Sequence, residues 1–347
     1  MKKFVTMIVA GALSLALVAC GGGDSKKVVL TAGFAKDELF RIEESVCTVP
    51  EIMVYLTNIQ NQYESVYGKE IWNTKIDGVT LEENVKEMAL SKMAQVKAIN
   101  LLAIDRGVEL NEEENAIIEN AAAEYYSSLN NAEIEAMGIT KDTIVGLYRE
   151  YAISEKLYQD IIKDINPEIS DDEARTITVE HILIKTYDLD SNGNKVEFTE
   201  HAKSVAYTRA MEVLDRARAG EDFESLATEY SDDDTITYSF GKGEMDPVFE
   251  NASFDLGNDE ISDIIETEYG FHIVKCISTF NREVTDANKI KIVDERRDEA
   301  FGEEYDAYVS TLTKNFNDEL WGQISFITDS EVTTSTFFEV FDKYWDE

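Results

Sequence analysis

Histidine, cysteine and basic residues are all scarce in this chain. Of 347 residues, three are histidine, three are cysteine and 32 are lysine or arginine, against 70 aspartates and glutamates. The formal net charge of −38 argues against nucleic acid and anionic lipid headgroups as charge-recognised partners, because such a surface repels phosphate. Cys20, Cys47 and Cys276 lie far apart and do not read as a disulfide framework, and no CxxC pair supports thiol redox chemistry. There is no histidine pair at helical spacing and no HExxH, so no metal site is expected, nor any other cofactor. After Cys20 no apolar run reaches the roughly 20 residues that a membrane-spanning helix needs. What remains is a folding sequence: hydrophobic residues make up 44% of it, and the length suits a sizeable core and two domains.

The first segment is the exception to the missing apolar runs. MKK is a short basic stretch and FVTMIVAGALSLALV has the length of a signal-peptide core. Leu17, Val18, Ala19 and Cys20, followed by GGGDSKK, resemble a bacterial lipobox. On that reading residues 1–19 are a lipoprotein signal peptide, Cys20 carries the lipid and 20–27 form a flexible tether. The protein would then be lipid-anchored on the extracytoplasmic face of a bacterial cell membrane. The plainer alternative is a secretory peptide that happens to end in cysteine. With Cys20 acylated, Cys47 and Cys276 read as buried free thiols.

Residues 28–48 alternate enough for two or three short strands. Thr48-Val49-Pro50-Glu51 is a capping box with proline in the first turn, and the helix it opens stops at Gly68. Further boxes at Thr80/Glu83 and Asn111/Glu114, and a pattern over 141–163, bring the count to four helices between 49 and 163. Asn166-Pro167 ends that series, and a domain boundary is expected at 166–175. The β-rich ITVEHILIK follows, then helices near 199–219 and 222–230. Helix returns from about 283 to 320. The tail is strongly aromatic, with Phe337, Phe338, Phe341, Tyr344 and Trp345. It reads either as core that completes the N-terminal domain around an inserted module, or as a surface for unfolded clients.

Two of the three histidines sit in strand-like apolar runs, VEHILIK (179–185) and GFHIVK (270–275). Alternation puts Val179, His181, Leu183 and Lys185 on one face, and Gly270, His272, Val274 and Cys276 on another. A buried neutral imidazole needs partners for both ring nitrogens, and two imidazoles on adjacent strands can supply one another.

These runs do not stand alone. VEHILIK, AGEDFESLATEYSDD and SFGKGEMDPVFENASFDLGNDEISDIIETEYGFHIVK follow in that order. Together they resemble the parvulin family of peptidyl-prolyl cis/trans isomerases. More loosely, the lipobox and the flanking helical regions resemble PrsA-like and SurA-like extracytoplasmic foldases. The resemblance implies an α+β architecture: a mostly helical, chaperone-like N/C-terminal domain with an inserted parvulin domain, a four-stranded antiparallel sheet surrounded by helices. The domains would be 28–168, 175–281 for the parvulin module, and 282–347 as the helical segment that returns to the first.

Carried over by position, the resemblance makes His181, His272 and Asp233 the catalytic residues. Met245, Phe249 and Phe240 would line the proline pocket. Core packing is the bland reading of Met245 and Phe249, and a solvated loop carboxylate that of Asp233, which sits between Asp232 and Asp234. One stretch departs from the pattern. Parvulins carry G-G-x-L-G-x-F before the G-x-G/Q-M element; here DTITYSFGKGEM is shorter, with Thr237 and Tyr238 in the places of the leucine and glycine. The loop also has no basic cluster, which argues against phosphate-directed specificity. The expected activity is non-covalent isomerisation of X-Pro bonds in unfolded exported proteins, with a homodimer through the helical parts also allowed by the resemblance. The alternatives are a holdase whose parvulin module is a client-binding scaffold, and a solute-binding lipoprotein, which leaves the module's motifs unexplained.

Overall fold

The structure is a computed structural model that describes residues 33–191 and 193–345. The expected signal peptide, the lipidated Cys20, the tether and residues 28–32 lie outside the described residues. Among the described residues no helix is long and apolar enough to cross a membrane. The chain divides into two compact units, one of residues up to Ile165 and from Asp298 onward, the other Asn166–Arg297.

In chain order the first unit opens with β1 (Glu38–Ile42) and β2 (Ser45–Thr48), then α1 (Val49–Tyr67). Thr48 ends the strand and starts the helix, because its backbone N–H is capped by Glu51 Oε2 at 2.6 Å. A 3-10 turn (Lys69–Asn73) and the small hairpin β3 (Lys75–Ile76) and β4 (Val79–Thr80) lead to α2 (Leu81–Arg106). Next come α3 (Glu112–Ser128), α4 (Asn131–Met137) and α5 (Lys141–Ile162). The span 49–163 thus holds five α-helices and not four. The missed one, α4, is too short for an apolar repeat to show, although Asn130 and Glu133 cap it reciprocally.

The second unit begins with β5 (Ile177–Lys185) and the hairpin β6 (Tyr187–Leu189) and β7 (Lys195–Glu197). Then follow α6 (Glu200–Arg218), α7 (Phe223–Tyr230), β8 (Thr237–Phe240), α8 (Pro247–Phe254), β9 (Ile265–Thr267) and β10 (Gly270–Ser278). The boundary between units falls within α9 (Arg282–Val309). The chain closes with β11 (Lys314–Phe316), α10 (Asp318–Trp321) and α11 (Phe337–Trp345). The helix expected to run to 320 therefore stops earlier and gives way to a strand. A three-residue strand has no readable period, and β11 forms only because β1 lies beside it, pairing Phe40 with Phe316.

In the first unit the sheet order is β11-β1-β2, and the helices enclose an aromatic core. Phe337 of α11 packs against Tyr55, Tyr125 and Tyr148 at centroid distances of 5.6, 5.3 and 4.6 Å. Phe337 and Phe341 are each 1% exposed, so these two rings are spent on the core and offer clients no surface. Each contributes about 1.5–3 kcal/mol by burial. Polar partners hold the tail in register: Asn58 Oδ1 accepts from Phe337 N at 3.0 Å, and Tyr148 Oη donates to the Phe337 carbonyl at 2.6 Å. Cys47 is a buried free thiol here.

The second unit is built on an antiparallel sheet of order β8-β5-β10-β9. One face carries Ile182, Ile184, Phe271 and Ile273 against the apolar stripes of α6 and α7. The other carries Ile177, Val179, Phe240, Ile265 and Val274 against Phe249 of α8. The long central strands need this two-sided burial, which accounts for their near-continuous apolar sequence. Cys276, on β10, is likewise a buried free thiol.

Gly270 starts β10 with φ +140°, and a Cβ there would stand 2.2 Å from the Ile184 carbonyl oxygen. Only glycine lets the two central strands approach at this point. Gly270→Ala is expected to destabilise the second unit by about 3 kcal/mol. Amide hydrogen exchange along β5 and β10 checks this; unchanged protection would refute it.

Candidate active site

The register of the central strands decides the site. Val274 lies opposite His181 and Leu183 opposite His272, so both imidazoles stand on the α8 face as diagonal neighbours. Their Nδ1 atoms are 3.4 Å apart and their planes lie 19° from parallel. Each side chain is almost wholly buried.

The hydrogen bonds around the pair fix where the protons are. His181 Nε2 lies 3.0 Å from the Thr235 carbonyl oxygen, which can only accept, so this nitrogen carries the hydrogen. His181 Nδ1 is then the acceptor, and His272 Nδ1 must donate to it. That leaves His272 Nε2 to accept the hydroxyl hydrogen of Thr267, 2.8 Å away. The Thr267 oxygen in turn accepts from Tyr269 N at 3.1 Å. Donation therefore runs one way, from Thr267 to His272 to His181 to Thr235, with both rings neutral.

Electrostatics support that assignment. Burial pushes His272 down to about 4, and the neighbouring His181 adds to the shift, against the raising pull of Asp246 and Asp233. His181 is also lowered by burial, partly offset by Thr235 and Asp233.

Asp233 reaches the pair through the loop that follows α7. That loop is stitched to β5 by Asp232 N donating to the Leu183 carbonyl at 2.7 Å and Leu183 N donating to Ser231 Oγ at 3.2 Å. Lys185 N donates to Asp232 Oδ2 at 3.0 Å. Asp233 Oδ2 comes within 3.3 Å of His181 Nε2, and Asp233 Oδ1 accepts from Thr235 N at 3.1 Å. The three neighbouring aspartates thus differ in place: Asp232 braces the strand, Asp233 faces the imidazoles, and Asp234 is exposed.

On the other side Phe249 presents its ring at steep angles to both imidazoles, with centroids 5.8 Å from His181 and 5.2 Å from His272. Met245 is half-buried and packs on the same cluster. Phe240 is 1% exposed and lies 5.9 Å from Phe249, backing that ring and leaving almost no surface of its own to a ligand. The fold therefore gathers His181, His272, Asp233, Met245 and Phe249 at one place, with Phe240 beneath them. The sequence reading missed Thr235, Thr267 and the contact made by Tyr238, whose hydroxyl donates to Asp233 Oδ2 at 3.2 Å. Thr267 shares the His272 face because it pairs with Gly270 across the tight turn. No residue pattern marks Thr235, since its backbone oxygen does the work.

Comparison with known sequences bears on this geometry directly. Residues 181–278 match the rotamase family described as the PPIC-type PPIASE domain. This segment is a peptidyl-prolyl isomerase domain of the PPIC type. Along most of its length the chain is similar to foldase protein PrsA of Caldanaerobacter subterraneus subsp. tengcongensis, 26% identical over 88% of this chain and 92% of that one. It is also similar to foldase protein PrsA of Clostridium botulinum, 23% identical over 79% of this chain and 83% of the relative. Among solved structures, PrsA of Bacillus cereus covers 75% of this chain and 91% of its own, at 20% identity and a TM-score of 0.38. Outside that segment the chain is similar to PrsA foldases over most of its length, and its own fold mixes helix and sheet.

Because the isomerase domain holds His272 neutral, its folded state binds fewer protons than the unfolded chain below the ordinary histidine range. This share of stability is present above about 6.5 and is lost as pH falls toward about 4. In an NMR titration, the imidazole C–H signal of His272 is expected to move with a midpoint near pH 4. A midpoint near 6.5 would show a solvated ring and undo the relay.

Proposed function

We propose that the chain is an extracytoplasmic foldase, anchored by lipid at Cys20, that isomerises X-Pro bonds in newly exported proteins. The supporting observation is the one-way relay through Thr267, His272 and His181, set beside the Asp233 carboxylate and the apolar Phe249 and Met245. On this reading His181, His272 and Asp233 are catalytic, and Met245, Phe249 and Phe240 form the proline subsite. The domains would run 28–168, 175–281 and 282–347, after a signal peptide and tether.

The reaction asks for little covalent chemistry. Amide resonance sets a barrier of roughly 18–20 kcal/mol, and an unassisted X-Pro switch takes about tens to hundreds of seconds. No bond breaks, so the protein has only to bind the ring in a dry place and favour the twisted amide. Twisting withdraws negative charge from the carbonyl oxygen and makes the nitrogen more basic. A fixed carboxylate at Asp233 disfavours the planar amide, whose oxygen carries more charge. Neutral imidazoles hold that carboxylate's surroundings without adding a competing positive charge. Phe249 and Met245 supply the apolar wall against which the proline ring is desolvated.

The full-length protein is expected to accelerate the proline-limited phase of a model protein's refolding. Asp233→Ala is expected to reduce that acceleration by at least about tenfold, with the domain still folded by circular dichroism. A protein that suppresses aggregation without speeding this phase would instead be a holdase. Anchoring has its own test. Cys20→Ala is expected to abolish incorporation of labelled palmitate and move the protein out of the membrane fraction; unchanged fractionation would refute the lipid anchor.

A further inference from the structure

We propose that Tyr238 is a positioning residue of the isomerase site, its phenol hydroxyl holding the Asp233 carboxylate against His181. The inference rests on the catalytic reading of Asp233 and extends it to a residue that the sequence pattern places as a departure.

Geometry carries it. β8 pairs with β5 so that Tyr238 lies opposite Val179, which puts its side chain on the face that carries His181 two residues on. The hydroxyl donates to Asp233 Oδ2 at 3.2 Å, and the ring stands edge-on to His181 with centroids 5.1 Å apart. The other carboxylate oxygen is held by Thr235 N. The hydrogen on His181 Nε2 is shared between the Thr235 carbonyl at 3.0 Å and Asp233 Oδ2 at 3.3 Å. Without the phenol, Oδ2 would depend on that divided hydrogen alone. Asp233 is only half-buried, so its carboxylate would then be free to turn toward water. A hydrogen bond to a charged acceptor is strong enough to prevent this. Burial raises the phenol above its usual range and the Asp233 carboxylate adds to the shift, so the hydroxyl remains a donor through neutral pH.

The test is a double-mutant cycle on full-length protein, with kcat and KM measured separately on an X-Pro tetrapeptide. Tyr238→Phe keeps the ring against His181 and removes only the hydroxyl. It is expected to lower kcat about tenfold while KM stays within about twofold. Asp233→Ala should lose at least as much, and the double variant should be no worse than Asp233→Ala alone. Wild-type kcat in Tyr238→Phe, or losses that simply add in the double variant, would overturn the inference and leave the reading of Asp233 standing. Unchanged kcat in Asp233→Ala would overturn that reading itself, and with it the route assigned to Tyr238. An NMR comparison of the His181 ring nitrogens gives a second readout. Tyr238→Phe should shift the Nε2 resonance, and an unmoved resonance would also count against the inference.

Discussion

The pairing of β5 with β10 is the constraint from which the site follows. Side chains alternate along both strands, so a slip of one residue between them would put His181 and His272 on opposite faces of the sheet. One imidazole would then meet the apolar surface of α6 and α7 in place of its own strand's pair, Ile182 and Ile184 or Phe271 and Ile273. Burying those four aliphatic and aromatic side chains therefore holds the imidazoles in place. Gly270 lets the strands come together at their tightest point, next to Thr267 and two residues from His272. Packing on one face thus positions the polar chemistry on the other.

Burial also sets the charge state of that chemistry. At His272 the lowering effect of burial outweighs the raising effects of Asp246 and Asp233. Neutral rings can pass a single direction of hydrogen bonding across the sheet, whereas two imidazolium ions could not face each other through their Nδ1 atoms. The first unit shows a related economy. Asn58 donates to the Tyr125 hydroxyl and accepts from Phe337 N, so one buried amide ties the C-terminal helix to the helices formed early in the chain.

Legibility tracked the range of the interaction. Capping boxes at Thr48, Thr80 and Asn111 are local, three residues from donor to acceptor, and the helices start where these residues place them. His181, His272, Met245 and Phe249 carry patterned neighbours, and the order of the motifs marks them as a set. β11 was not legible, because three residues become a strand only beside β1. Thr235 acts through its backbone, and a main-chain oxygen leaves no mark in residue type. Tyr238 was visible only as an anomaly; its bond to Asp233 depends on how β8 registers with β5.

By itself the sequence determined the periodic elements, the caps that bound them, the apolar faces and the motif order that marks an isomerase domain. These follow from contacts within a few residues, or from composition. The direction of the proton chain, the supporting place of Phe240 and the grip on Asp233 were decided by the tertiary structure alone. Each depends on atoms brought within hydrogen-bond or ring-contact distance by strand register, and register is a property of the packed sheet and not of any one segment.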